Sequence, residues 1–297
     1  MKVIVTGANG FIGANLIKKL IQNKVEVLAV DVSFDNSKLP KSEFVVEKEL
    51  SIDKIDELTS DIKSGEYELF YHFAWAGVNG ATKGDLDVQL HNIQLSIMCA
   101  KVANKLGCKK FLCAGTIAER NIESLSKIEK TGPGMFYGSA KYATHILVET
   151  YCKSVGLDFV WMQFSNIYGP NNKTGNLISY TISQLQKGEI ASFGPAQQPY
   201  DFIFVDDLIE AVYRLGTMNT KRNFYFIGSG TPMVLCDYLL KIGEVFGKPE
   251  LIRIGERTDD GIRYSFDMLD SKGLVEDIGN YISGSFEQLI RFTIENY

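Results

Sequence analysis

Cysteine is scarce and scattered. The five cysteines, Cys99, Cys108, Cys113, Cys152 and Cys236, are odd in number and show no Cys-x-x-Cys spacing. That excludes a disulfide framework and a thiolate metal site, and it fits small core residues in a reducing, cytoplasmic compartment. The three histidines (His72, His91, His145) are far apart and form no metal-ligand pattern, so no metal is expected. No apolar run approaches the roughly 18 residues of a membrane span, and no signal-like segment precedes the first apolar run. Basic charge is not in excess. A net charge of −5 argues against a general nucleic-acid-binding surface. Internal repeats and low-complexity tracts are also missing.

What is present is an ordinary globular composition, with 45% hydrophobic and 23% charged residues in 297. That length suffices for one large or two modest domains with a real core. The opening stretch organises the rest. Val3-Ile4-Val5 is a β-branched run that reads as a buried strand. Glycines follow at Gly7, Gly10 and Gly13, and a helical apolar pattern (Phe11, Ile12, Leu16, Ile17, Leu20, Ile21) begins among them. A glycine turn between strand and helix aims backbone N–H groups at the helix N-terminus, where a pyrophosphate is favoured. Val25 to Val30 reads as the next strand and ends on Asp31, near the roughly 20-residue spacing expected for an acid on an adenosine ribose. A carboxylate there accepts from ribose hydroxyls and repels a 2′-phosphate, which favours NAD over NADP.

Strand and helix signals then alternate. Strands are predicted at 43–47, 69–74, 110–114 and 159–164, with a polar helix at about 52–64 and apolar-striped helices at 85–106 and 137–154. This pattern predicts a doubly wound parallel α/β sheet of Rossmann type over residues 1–168. After Gly169-Pro170 the alternation breaks into shorter units: helices near 176–187, 206–216, 234–246 and from 285, and strands near 202–205 and 223–227. Residues 169–297 are expected to form a smaller α+β substrate lobe, some of it returning to the main sheet, with a cleft at the carboxyl ends of the strands.

A second informative stretch is Tyr137-Gly138-Ser139-Ala140-Lys141. Residues four apart share a helix face. A nearby ammonium is expected to lower the phenol from its ordinary value of about 10. Tyr137 would then pass a proton to and from a hydroxyl, Lys141 would also hold the nicotinamide ribose, and Thr116 at a strand end would hold the substrate oxygen.

These residues resemble the extended short-chain dehydrogenase/reductases, in the nucleotide-sugar epimerase and dehydratase group that includes UDP-galactose 4-epimerase. Thr6 to Gly13 (with Asn9, Phe11 and Ile12) resembles the group's fingerprint. Asp31 stands at the ribose acid, Glu49-Leu50 around the adenine, Phe73-Ala74-Trp75 beside the cofactor, and Asn92 under the site. Asn166-Ile167-Tyr168-Gly169-Pro170 is similar to the family's Asn-Val-Tyr-Gly-Pro. The resemblance assigns substrate contacts to Asn166, Asn176, Leu177, Tyr200, Arg257 and Asp260. Two family arginines are replaced, by Tyr200 and Gln163. Ile117-Ala118 follows Thr116 where 4,6-dehydratases carry Asp-Glu, so dehydration is not expected.

The resemblance implies NAD, a nucleotide-diphosphate sugar, C4 epimerisation through a 4-keto sugar, and a homodimer built on the two long helices, with Leu90, Ile97, Ile146 and Tyr151 on their outer faces. It implies no nucleic-acid or membrane partner. Two other readings stand beside it: a 4-ketoreductase of 6-deoxysugars using NADH or NADPH, and a non-catalytic dinucleotide sensor.

Overall fold

A computed structural model describes residues 1–123, 134–172, 175–259, 261 and 264–297. It divides into two compact units. The first holds Met1–Phe164 and Ile209–Tyr225, and the second Ser165–Leu208 and Phe226–Tyr297.

The first unit is built on β1 (Lys2–Thr6), α1 (Phe11–Gln22), β2 (Glu26–Asp31), β3 (Val45–Glu49), the single turn α2 (Leu58–Asp61), β4 (Leu69–His72), α3 (Leu86–Lys105), β5 (Lys110–Thr116), α4 (Glu119–Glu123), α5 (Gly134–Val155) and β6 (Asp158–Phe164). In the second unit come β7 (Asn166–Tyr168), α6 (Leu177–Lys187), β8 (Ala191–Ser192), β9 (Pro199–Tyr200) and β10 (Phe202–Phe204). Next are α7 (Val205–Thr217) and β11 (Phe224–Ile227), each running from one unit into the other. The chain ends with β12 (Met233–Val234), α8 (Leu235–Phe246), β13 (Ile252–Arg253), α9 (Lys272–Ile278) and α10 (Phe286–Glu295).

The main sheet has seven strands in the order β11-β6-β5-β4-β1-β2-β3. The pairs β1–β2, β1–β4, β2–β3, β4–β5 and β5–β6 are all parallel. The order reverses at β1, so the carboxyl ends of β1 and β4 flank the switch point where such sheets bind ligands. The central strands are apolar throughout because helices cover both faces: Val3, Ile4, Val5, Phe70, Tyr71, Phe111 and Leu112 have no exposed surface. The core includes Trp161, Val148, Leu106 and four cysteines, Cys99, Cys108, Cys113 and Cys152. All five cysteines are unpaired.

One element differs from expectation. Residues 52–64 do not form a continuous α-helix but a 3₁₀ segment, Ile52–Glu57, running into the single turn of α2. Ile52, Ile55 and Leu58 are the buried residues, and their three-residue spacing matches a 3₁₀ period better than an α one. α9 was not anticipated. Among the described residues no helix is long and apolar enough to cross a membrane.

The second unit has three two-stranded pairings, β7–β10, β9–β12 and β8–β13. Its core is aromatic: Tyr238 meets Phe286 edge-on at 4.7 Å and Phe202 at 5.0 Å between ring centroids. Asp201 is fully buried, and its carboxylate accepts from the Ser229 amide at 3.0 Å and from the Ser229 hydroxyl.

Candidate active site

The site is assembled at the carboxyl ends of β1, β2, β4 and β5, all within the first unit. Gly7 leaves β1 with φ +70°, and a Cβ there would lie 2.7 Å from the Ala74 amide nitrogen. Gly13 packs the first turn of α1 onto the loop so closely that a Cβ would stand 2.2 Å from the Gly7 carbonyl oxygen. Gly10 is the N-cap of α1 and supplies no side-chain acceptor, so first-turn amides are left for an outside anion. A Cβ on Gly10 would meet nothing but the Gly7 carbonyl within 4 Å. The three glycines therefore have three separate reasons: a left-handed turn, an open face, and close helix packing. Such a cradle fits a dinucleotide pyrophosphate.

Asp31 ends β2, and its carboxylate accepts from the Asn9 and Val32 amides, each at 2.8 Å. The acid thus sits against the glycine turn, where a ribose diol would meet it. Asn9 also ties down the segment after β2, donating to the Ser33 carbonyl at 3.1 Å and accepting from the Lys38 amide at 2.9 Å. Glu49 accepts from the Phe34 amide at 3.0 Å, and the Leu50 amide donates to the Asp31 carbonyl at 2.8 Å. These two residues hold the loop that borders Asp31. Beneath the turn, Thr6, His72 and Ser96 form a buried chain of 2.8 and 3.1 Å contacts, and burial pulls the imidazole down to about 3. His72 is a neutral hydrogen-bonding strut. No group of metal-binding side chains occurs among the described residues.

The catalytic candidates meet at the end of β5. The Thr116 hydroxyl acts on the Tyr137 phenol, favouring its ionised form. One helical turn on, Lys141 is buried, its ammonium donating to the Ala114 carbonyl at 2.7 Å. The same Nζ lies 3.6 Å from the centre of the Trp75 indole, which in turn meets Tyr137 edge-on at 6.2 Å. Trp75 therefore bridges the lysine and the tyrosine. Its Nε1 donates to Gln89 at 2.9 Å, and Gln89 holds the Gly77 and Thr82 carbonyls at 3.0 and 3.3 Å. Asn92 braces the same loop through both polar atoms of Ala76, at 3.0 and 2.8 Å.

The electrostatics differ from expectation in one respect. Loss of hydration pushes the Tyr137 phenol up to about 12, against the opposing pull of the Thr116 hydroxyl. The Lys141 ammonium is engaged by Ala114 and Trp75 and does not acidify the phenol here. Lys141 itself is pulled down to about 8 by burial, with the Cys113 and Glu119 charges pulling the other way.

Three participants were not anticipated. Lys83 rests over the Tyr137 ring, 5.0 Å from its centre. Gln89 is the clasp of the loop just described. Glu119 is fully buried behind Thr116, its carboxylate accepting from the Thr116 amide at 2.6 Å. A carboxyl three residues from a candidate catalytic threonine was the only available sequence signal for it.

The residues assigned to substrate fall in the second unit, and the structure treats them unequally. Leu177 and Arg257 line a cavity of about 200 Å³ with Tyr180, Phe193 and Gln198. Arg257 stacks on Tyr180, its guanidinium 5.0 Å from the ring centre. Asn176 is the N-cap of α6: it accepts from the Ser179 amide at 2.9 Å and donates to the Ile167 carbonyl at 3.0 Å. Its amide is committed to the backbone. Asn166 donates to the Asp201 carbonyl at 3.0 Å and accepts from the Tyr200 hydroxyl at 3.2 Å. Asp260 lies outside the described residues.

Comparison with known proteins agrees with this geometry. A putative UDP-glucose 4-epimerase of Methanocaldococcus jannaschii is 26% identical over 242 residues, covering 77% of each chain. The structure of a UDP-glucose 4-epimerase from Thermotoga maritima with UDP-glucose superposes with a TM-score of 0.78 at 21% identity, covering 100% of this chain and 98% of that one. A UDP-glucuronic acid 4-epimerase from Bacillus cereus, with UDP-glucuronic acid and NAD, gives 0.79 at 19% identity over 100% and 98% of the two chains. The family model described as "NAD dependent epimerase/dehydratase family" matches residues 3–228, and the chain belongs to that family.

Proposed function

We propose that this chain is an NAD-dependent nucleotide-sugar 4-epimerase. The observation that carries the reading is Tyr137 and Lys141 joined through Trp75 at the end of β5, where Thr116 stands, on the unit that bears the glycine turn. Gly7, Gly10 and Gly13 would hold the NAD pyrophosphate and Asp31 its adenosine ribose. Phe11, Ile12, Glu49, Leu50, Phe73, Ala74 and Trp75 would wall the cofactor. When bound, NAD supplies a hydride acceptor that later returns the hydride.

Thr116 orients the sugar C4 oxygen. Tyr137, in its phenolate form, takes the hydroxyl proton as the C4 hydride departs, leaving a 4-keto sugar, and gives the proton back when the hydride returns to the other face. Lys141 holds a positive charge beside the proton-transfer pair. The sugar donor is a nucleoside diphosphate, and Leu177, Arg257, Asn166 and Tyr200 are its candidate contacts. Dehydration is disfavoured because Glu119, the carboxyl that reaches Thr116, faces inward onto β6 rather than toward a sugar.

A second reading, a 4-ketoreductase consuming NADH or NADPH, is favoured by one observation: a phenol pushed up to about 12 is protonated at rest and ready to donate to a ketone. The two separate on purified protein. An epimerase carries NAD through purification and converts UDP-glucose or a related donor to its C4 epimer, seen by proton NMR, without added cofactor. A reductase oxidises added NADH in proportion to a 4-keto sugar. Tyr137→Phe should abolish either activity by about 100-fold or more while NAD still binds. Unchanged turnover in that variant would instead favour a non-catalytic dinucleotide sensor.

A homodimer through α3 and α5 belongs to the same proposal. Leu86, Leu90, Ile146 and Leu147 are 47–49% exposed along these two helices, which pack against each other. Ile97 and Tyr151 instead pack partly onto the core. Sedimentation should give twice the chain mass at micromolar concentration. The unpaired, mostly buried cysteines fit a cytoplasmic setting.

A further inference from the structure

Glu119 is a buried ionisable group that the proposed chemistry does not use. It opens α4, and no part of it is exposed. Its Oε1 accepts from the Thr116 amide at 2.6 Å, and its Oε2 accepts from Trp161 Nε1 at 3.0 Å and Gln163 Nε2 at 3.3 Å. The backbone is shaped to receive it. A Cβ on Gly115 would stand 2.3 Å from Trp161 Nε1 and 2.8 Å from Glu119 Oε1, so the residue before Thr116 has to be glycine for this carboxylate to come so near.

Two of the three donors come from β6, more than 40 residues away in sequence. A carboxylate supplied with donors at both oxygens, deep in a core where an apolar residue would pack more cheaply, calls for a role beyond stability.

The groups facing Glu119 identify that role. From α5 it meets the charges of Lys141 and Tyr137, from β5 the Cys113 thiol and the Thr116 amide, and from β6 Trp161 and Gln163. His145 on α5 stacks on the far partner, Trp161, at 4.8 Å. Arg120, next in sequence, lies over the Phe224 ring at 5.3 Å. Lys141 is the cation whose charge acts on this carboxylate, and the effect is mutual: each favours the charged form of the other, against burial.

We propose that Glu119 is a positioning residue of this active site. Its carboxylate anchors the backbone that carries Thr116. The inference rests on the catalytic reading above.

The positioning role is tested by Glu119→Gln and by the apolar Glu119→Leu, with UDP-glucose and UDP-glucuronic acid as probes and NAD binding as the folding check. Turnover should fall about 10- to 100-fold with KM nearly unchanged. The exchange Glu119→Gln with Gln163→Glu should recover part of the loss. Wild-type kcat in either folded variant overturns the role. Tyr137→Phe run alongside tells the failures apart: if it retains activity, the catalytic reading has failed.

Discussion

Lys141 provides the sharpest quantitative test. Its ammonium has one hydrogen-bond acceptor, the Ala114 carbonyl at 2.7 Å, and one aromatic face, Trp75 at 3.6 Å. Loss of hydration pulls it down to about 8 from an ordinary lysine value near 10.4. If catalysis requires the ammonium, the active fraction is roughly nine-tenths at pH 7, half at pH 8 and one-tenth at pH 9. The sign is fixed: the group works when protonated, so activity is lost as pH rises. Turnover with saturating NAD should therefore fall about tenfold between pH 7 and pH 9, approaching a slope of −1 on a logarithmic plot. The assay is kcat and kcat/KM from pH 6 to 10 at constant ionic strength. Lys141→Arg, whose cation does not titrate below about 12, should lower the plateau and remove the alkaline fall. A wild-type profile flat to pH 9.5, or the same fall in Lys141→Arg, would refute the assignment.

Three further outcomes follow from the geometry. Asp31→Ala removes the acceptor of the Asn9 and Val32 amides and the repulsion toward a 2′-phosphate; calorimetry should show NAD affinity down about tenfold and the preference over NADP reduced, and an unchanged NAD-to-NADP ratio would count against the ribose role. Gly13→Ala places a Cβ 2.2 Å from the Gly7 carbonyl and should cost about 1–3 kcal/mol in thermal unfolding. Gly10→Ala, whose Cβ would stand 3.1 Å from the same carbonyl, should cost less stability than Gly13→Ala yet bind NAD more weakly. Gln89→Ala frees the Trp75 indole and two loop carbonyls. In a Trp161→Phe background, Trp75 fluorescence should shift to the red, and an unshifted spectrum would show that the clasp is dispensable.

The sequence displayed most of the first unit because its signals are local. Val3-Ile4-Val5 needs both faces covered, and Gly7, Gly10 and Gly13 each answer a constraint met within a few residues or at one strand end. Tyr137 and Lys141 were visible because a helix puts residues four apart on one face. The misses have physical causes. Ile52, Ile55 and Leu58 repeat every three residues, a spacing too short to separate an α-helix from a 3₁₀ turn without the packing. Asn176 fits either a ligand contact or a helix cap, and the Ser179 amide and Ile167 carbonyl decide for the cap. The effect of Lys141 on Tyr137 was misjudged because a spacing of four fixes a shared face, not the direction of Nζ. The Ala114 carbonyl and the Trp75 face draw the ammonium down along β5.

Glu119 shows why the rest was not legible. At the head of a short helix, two residues after an isoleucine, it reads as an ordinary first-turn acid favoured by the helix dipole. Only the pairing of β5 with β6, which sets Gly115 opposite Gln163, brings Trp161 and Gln163 against the same carboxylate. The Gln163 that replaces a family arginine then acquires a reason. An arginine at that position would set a cation directly on the Glu119 carboxylate. A neutral amide instead donates one hydrogen bond at 3.3 Å and leaves the other oxygen to the Thr116 amide. Gln163→Arg should therefore draw the carboxylate away from Thr116 and lower turnover about tenfold, while Gln163→Leu should lower it less. If the two substitutions lowered turnover equally, the carboxylate at 119 would not be holding the backbone at Thr116.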